Sequence, residues 1–297
     1  RDPRCEDART GAMALLEAAT EPSGWGRTVA HALWSAHDRC DEWEERVAIC
    51  DRCLVHDDDR AKLARLREVA ALQERRGEDA AAAQATLRRA LALDPRNLSV
   101  QRELARVAEA AEGWQDYADA LAEAAAAVDD DDIAAQLQRR RGAVLRDRVG
   151  DPSAALVAYE AAAGHVEDAA TLRSVAHTAA AAESWESVAR ALVLLSVLLG
   201  RVDDALFDEL TPDEPEDQHA LAEALVAKVD KHQSDLAGPV AGRLLGRASD
   251  LFGSGDAAAV AAARAARAVG GSDQGAIERL VALRRETPGP ELVVALL

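Results

Sequence analysis

Apolar residues recur at helical spacing along most of this chain. In the first segment Ala8, Ala12, Leu15 and Ala19 lie three or four residues apart, which places them on one face of a helix. The alternation of apolar and polar residues that is typical of strands is absent. Helices are therefore predicted at about 4–19, 25–39, 41–56, 60–76, 78–93, 97–112, 114–128, 133–149, 151–163, 168–182, 184–199, 216–232, 235–252, 256–269, 273–286 and 290–297.

Turn signals divide these helices into pairs, and the signals return every 33 to 38 residues. They consist of Gly, Trp and small residues: Trp43, Gly77-Glu78, Gly113-Trp114, Gly150-Asp151 and Ser184-Trp185. A period of this length is typical of stacked helical hairpins, each of which buries its apolar face against the next. The pattern predicts an all-α solenoid of antiparallel helix hairpins.

Two segments carry a more specific motif. They are Val69-Ala70, Gly77, Ala82, Ala90-Leu91, Leu93-Asp94-Pro95 and, further on, Gly150-Asp151-Pro152, Ala155, Tyr159, Ala162. Both resemble the tetratricopeptide repeat, which has Gly-Asp at its turn and a closing Asp-Pro. The resemblance implies a right-handed superhelix whose concave groove binds a peptide or a partner helix. A half-a-tetratricopeptide or HEAT-like array remains an alternative, because the spacing drifts.

The resemblance also predicts a division of the chain. Residues 1–21 form an unpaired helix from a preceding repeat, residues 22–199 form five hairpins, and residues 200–297 continue the solenoid irregularly. The chain begins without an initiator Met or a signal peptide, so we expect it to be a piece of a longer protein or one trimmed at its N-terminus.

Composition narrows the possible partners. The formal net charge of −18 opposes binding to nucleic acid, because phosphate binding needs a basic surface. The longest uncharged apolar run, residues 191–199, is too short to span a bilayer. The four cysteines do not form a disulfide framework for a chain of this length, which favours a cytoplasmic location. The excess of arginine over lysine is typical of GC-rich bacterial genomes.

One column of basic residues is a candidate binding face. Counting back from each turn, the groove-facing position of the first helix in four successive hairpins holds Arg67, Arg102, Arg140 and Arg173, with His31 in the first hairpin and His177 beside the last. Guanidinium groups bind carboxylates bidentately, so this column predicts a groove for an acidic ligand. In the alternative interpretation these arginines pair with Glu68, Glu103, Asp147 and other acids of adjacent repeats. The paired Lys and Asn of the family's carboxylate clamp are absent.

Other potentially reactive or metal-binding residues can be explained by packing or capping as well as by a function. Cys50, Cys53 and His56 are candidate zinc ligands, although small buried cysteines in an Ala/Leu core explain the same pattern. The aspartate runs 57–59 and 129–132 are interpreted as helix N-caps. Three of the five tryptophans recur at the turns, which favours packing between hairpins.

The sequence contains no motif for catalysis or for a cofactor. We therefore expect a non-catalytic scaffold that binds a protein or peptide partner through the arginine column. One alternative is a structural segment of a larger helical assembly, with self-association through the apolar tail at 292–297. A regulatory or sensor domain fused to an enzyme outside this chain is another.

Overall fold

The computed structural model describes residues 3–18, 21–253 and 255–268, and within these ranges the regular elements are helices without any strand. The chain divides into two compact units, Arg1–Val144 and Leu145–Leu297. The helices of the first unit are α1 (Pro3–Ala18), α2 (Gly24–Arg39), α3 (Trp43–Leu54), α4 (Asp59–Arg75), α5 (Ala80–Leu93), α6 (Leu98–Ala110), α7 (Trp114–Ala126) and α8 (Asp131–Val144).

The second unit opens with a π-helical turn, Leu145–Val149, where a continuous α-helix is predicted. Its α-helices are α9 (Pro152–His165), α10 (Ala169–Ala181), α11 (Trp185–Leu199), α12 (Asp204–Leu210), α13 (Pro215–Lys231), α14 (Gly238–Phe252) and α15 (Asp256–Ala268). The sequence pattern missed α12, which has only seven residues. The predicted helices at 273–286 and 290–297 lie outside the described residues.

Side-chain caps begin many of the helices, as the sequence predicts. The carboxylate of Asp79 accepts a hydrogen bond from the backbone N–H of Ala82, and Asp151 does the same for Ala154. Asp58 and Asp130 cap α4 and α8 in this way, which confirms the capping interpretation for one member of each aspartate run. Asp57 is different, because its carboxylate is buried against an arginine.

Within each unit the helices pack in the order of the sequence. In the first unit every helix from α1 to α7 contacts the helix that follows it, and α5 also contacts α7. In the second unit α10 packs on α11, and α11 packs directly on α13 because α12 is too short to come between them. Loops of three or four residues join α2 to α3, α4 to α5, α6 to α7 and α10 to α11, so the two helices of each of these hairpins run antiparallel. The predicted fold class of stacked antiparallel helix hairpins is confirmed.

Small residues make this stacking close. In α7 the buried face includes Tyr117, Leu121 and Ala124, and alanines of neighbouring helices, such as Ala83 and Ala108, are fully buried. An alanine side chain lets two helix backbones approach closely and has the best helix propensity. The alanine-rich composition therefore supplies both the helices and the contacts between them.

The hairpin turns share one backbone feature that repeats through both units. A residue with positive φ stands two positions before the second helix of each predicted hairpin: Asp41, Glu78, Glu112, Gly150 and Glu183. The following N–H turns back onto the first helix, as in the bond of 2.9 Å from Gly113 N to Ala108 O. This arrangement is a helix C-cap that favours glycine, yet four of the five positions hold Asp or Glu.

We expect Glu183→Gly to stabilise the second unit by about 0.5–1 kcal/mol, because a side chain in the left-handed region costs energy that glycine avoids. Gly150→Ala is the matched control in the same unit, at φ +77° and with no atom within 4 Å of an added Cβ. It should lower stability by about 1 kcal/mol through backbone conformation alone. Urea denaturation of the full chain measures both changes, and shifts of the same sign would contradict this account of the turns.

Candidate functional site

The first unit has an open cleft of about 710 Å³ on the side where α4 and α6 face each other. Helix α5 lies beneath them and contributes Leu87 to the floor. The residues that line the cleft are Ala64, Arg67, Glu68, Ala70, Ala71, Glu74, Arg75, Leu87, Glu103, Arg106 and Val107. The floor is thus small and apolar, whereas the rim consists of arginines and glutamates.

Two ion pairs connect the walls of the cleft, and the arginine comes from α4 in one pair and from α6 in the other. Arg67 of α4 binds Glu103 of α6 through two hydrogen bonds, of which the one from Nε to Oε2 is 3.1 Å long. Arg106 of α6 binds Glu74 of α4 in the same bidentate manner, with 2.6 Å between Nη2 and Oε2. Each wall therefore carries one arginine and one glutamate that are paired across the cleft.

These pairs favour the charged forms of Arg67, Glu74 and Arg106. The hydrogen bond from Arg106 lowers the pKa of Glu74, and the same bond raises the pKa of Arg106. The bond with Glu103 likewise raises the pKa of Arg67. In every case partial burial opposes the shift, because it disfavours the charged form.

Two further arginines at the cleft have no such partner. Arg75 is exposed on the rim, and Arg102 lies one helical turn before Arg106 on the same side of α6. Among the described residues neither side chain makes a hydrogen bond or an ion pair. The cleft is therefore lined by two paired arginines and by Arg75, and Arg102 is exposed beside it on α6.

The predicted arginine column is divided between the two units. In the first unit Arg67 lines the cleft, while the Nη1 of Arg140 donates to Gln101 Oε1 at 2.9 Å and its guanidinium lies 5.9 Å from the ring centre of Tyr117. In the second unit Arg173 pairs with Asp203 at 3.0 Å, which lowers the pKa of that aspartate.

The histidines that accompany the column are both accessible. His177 Nδ1 lies 3.8 Å from Glu209 Oε1 in the second unit, and His31 is exposed on α2. Arg67 and Arg173 therefore pair with acids of adjacent hairpins, as the alternative interpretation predicts. Arg102 does not make such a pair among the described residues. Of the acids named for this pairing, Glu68 binds Arg46 and Asp147 binds Arg146.

The candidate zinc ligands lie in a packed core. Cys50 and Cys53 are buried on α3, and burial raises the pKa of each thiol to about 11, so both stay protonated at neutral pH. His56 is 1% exposed. Its ring packs against Gly26, since a Cβ added to Gly26 would lie only 2.6 Å from the ring. Among the described residues no group of three His, Cys, Asp or Glu side chains is placed to hold a metal ion.

The sequence interpretation missed a buried charged cluster beside these cysteines. Two guanidinium groups contact the indole ring of Trp34, with 4.2 Å from the Cζ of Arg65 and 4.8 Å from the Cζ of Arg46 to the ring centre. Arg65 is bound to Asp57, with 2.6 Å between Nε and Oδ2, and both residues are buried. The available signal was the helical pattern itself, which puts Arg46 and Arg65 on the apolar faces of α3 and α4.

The turn tryptophans pack largely within the helical stack. Trp43 lies against the turn at Gly77, where its ring would be 3.2 Å from an added Cβ. Trp114 packs on Tyr117 with ring centres 6.2 Å apart, and the indole N–H of Trp185 donates to Asp217 at 2.8 Å. The contacts of Trp43 and Trp185 join neighbouring hairpins, whereas the contact of Trp114 lies within α7. Trp25 differs, because it is 51% exposed at the start of α2.

Comparison of the chain with protein-family models and with curated proteins finds no match. Among solved structures the chain is similar to PilW, described as a widely conserved type IV pilus biogenesis factor, with 16% sequence identity and a TM-score of 0.28. That similarity covers 79% of this chain and 98% of PilW.

A second similarity is to a chain in the structure of Naa15/Naa10 bound to HypK-THB, at 14% identity and a TM-score of 0.29. It covers 97% of this chain and 54% of the other. Both TM-scores are low, and neither similarity bears on function. The helical hairpins fit a tetratricopeptide-like fold. None of the described helices is long and apolar enough to span a membrane.

Proposed function

We propose that this protein is a non-catalytic scaffold that binds a segment of a partner protein in the cleft between α4 and α6. The observation that carries the proposal is the cleft itself, which has an apolar floor between two helical walls with charged rims. A partner helix or extended segment can place apolar side chains against Ala64 and Ala71, which line the cleft and are not buried, while its polar side chains meet the rims. The openness of the cleft along both helices suits a polymer better than a small metabolite.

The charges at the rim support an acidic segment. Arg75 on the rim and Arg102 beside it have no ion pair of their own, and a guanidinium group can bind a carboxylate bidentately. A non-catalytic role is supported by the state of the carboxylates. The pKa of Glu74 is held below its usual range by Arg106, so this carboxylate is a poor proton acceptor near neutral pH.

A cytoplasmic location belongs to the same proposal and is supported by the free thiols of Cys40, Cys50 and Cys53.

Filling the cleft tests this function. We expect Ala71→Trp to place a large side chain against the floor and to abolish capture of the partner protein by chemical crosslinking in native cells. Ala126→Trp is the matched control, because Ala126 is exposed at the end of α7 and does not line the cleft. Circular dichroism verifies that both variants fold. Equal recovery of crosslinked partners from the two variants would show that the cleft is not the binding site.

A further inference from the structure

Two arginines at the rim already hold carboxylates that come from the protein itself. Arg67 uses Nε and Nη2 to bind Glu103, and Arg106 uses Nη1 and Nη2 to bind Glu74. Bidentate hydrogen bonding of this kind is also how a guanidinium group recognises a carboxylate ligand. In each pair the glutamate comes from the opposite wall of the cleft, so it occupies the position that an acidic ligand between the walls would take.

We propose that Glu74 and Glu103 are internal competitors that mask the cleft, and that an acidic segment with several carboxylates binds by replacing them on Arg67 and Arg106. This inference rests on the proposed function, because it concerns the same cleft. It divides the recognition of the partner into two parts. Arg75 and Arg102 are open to a first carboxylate, whereas the two masked arginines become available only when their own glutamates leave.

The exposure of the pairs makes this exchange feasible. The side chains of Arg67 and Arg106 are 40% and 59% exposed, and those of Glu103 and Glu74 are 33% and 20% exposed, so both pairs are in contact with solvent. Ion pairs with this degree of exposure contribute little to stability. The pair of Arg65 with Asp57 differs, since those side chains are only 9% and 4% exposed and have no access to solvent for such an exchange.

The masking also favours ligands with more than one acidic group. A single carboxylate gains one contact with an unpaired arginine. The binding energy of that contact is not enough to displace a glutamate that is held by two hydrogen bonds. A segment that is already held by Arg75 or Arg102 presents its next carboxylates at high effective concentration, so displacement becomes an intramolecular step. The internal glutamates would then select polyacidic segments over isolated acidic side chains.

Neutral isosteres of the two glutamates test the masking. The probe is a fluorescein-labelled peptide of ten glutamates, and its dissociation constant for the full chain is measured by fluorescence anisotropy at low salt. We expect Glu74→Gln with Glu103→Gln to bind the peptide about tenfold more tightly than the unmodified chain, since two exposed pairs no longer compete. Adding Arg67→Gln and Arg106→Gln should remove the gain.

The control variant removes two negative charges outside the cleft. Glu123 and Glu160 bind Arg88 and Arg190 in comparably exposed pairs outside the cleft, so Glu123→Gln with Glu160→Gln also frees two arginines. Its affinity for the peptide should stay within about twofold of the unmodified chain, because net charge alone acts weakly at an exposed surface. Equal gains in the two double variants, or no gain at the cleft, would overturn the masking.

This experiment is separable from the test of the proposed function. If the cleft double variant gains affinity for the peptide while Ala71→Trp still captures the cellular partner, the masking stands and the proposed function fails. If Ala71→Trp abolishes capture while the double variant shows no gain, the proposed function stands and the masking is wrong. Adding Ala71→Trp to the double variant should abolish peptide binding, which assigns the gain to the cleft.

Discussion

Replacing Arg65 with methionine is expected to lower the stability of the first unit by about 3–5 kcal/mol, because it leaves the buried carboxylate of Asp57 without a partner. Arg65 and Asp57 are joined by two hydrogen bonds, and their side chains are almost inaccessible to water. The substitution also removes the guanidinium that lies 4.2 Å from the ring centre of Trp34. Urea denaturation of the full chain, followed by tryptophan fluorescence, measures the loss.

Two companion variants identify the cause of this loss. Arg88→Met removes an arginine from an exposed pair with Glu123 and should cost less than about 1 kcal/mol. Arg65→Met combined with Asp57→Ala should recover more than half of the lost stability, because the uncompensated charge is then absent. If Arg65→Met and Arg88→Met have equal effects, the buried pair does not stabilise the hairpin stack in the way proposed.

Gly113→Ala is expected to destabilise the first unit by about 2–3 kcal/mol through steric overlap. An added Cβ would lie 2.1 Å from Oε1 of Gln84, whose side chain is buried and donates from Nε2 to Gly113 O at 2.6 Å. The amide of Gln84 cannot move aside without losing this hydrogen bond. The shift of the urea midpoint for the full chain measures the effect.

The matched control is Gly246→Ala in the interior of α14, where no atom lies within 4 Å of an added Cβ. It should raise stability by up to about 1 kcal/mol, since alanine has the better helix propensity. Adding Gln84→Ala to Gly113→Ala should cost less than the sum of the single changes, because the overlap is then relieved. Additive losses would show that Gln84 is not the group with which the new methyl collides.

Part of the candidate site could be predicted from the sequence. The repeat register placed Arg67 and Arg102 at the groove-facing position of their helices. Arg67 lines the cleft between α4 and α6, and Arg102 is exposed beside it. The same register did not show that Glu103 and Glu74 reach across that cleft. Those contacts join residues more than thirty positions apart, so they depend on how one hairpin is set against the next.

The column of four arginines shows a second feature that the sequence did not predict. The repeat period treats successive hairpins as equivalent, yet Arg140 and Arg173 fall on the two sides of the division between the units. Close to that division the predicted helix becomes a π-helical turn at Leu145–Val149, which a pattern of apolar spacing does not distinguish from a regular helix.

Apart from α12 and the π-helical turn, the sequence by itself determined the described helices, their boundaries to within a few residues and the repeating turns. These features depend on local physics, namely the 3.6-residue period, side-chain caps and the backbone preferences at a turn. Only the tertiary structure decided which charges are buried, which are paired and which remain available. Asp57 and Asp58 are neighbours in one aspartate run, yet one is buried against Arg65 and the other caps a helix. That difference depends on distant residues, because burial and ion pairing depend on distances in space.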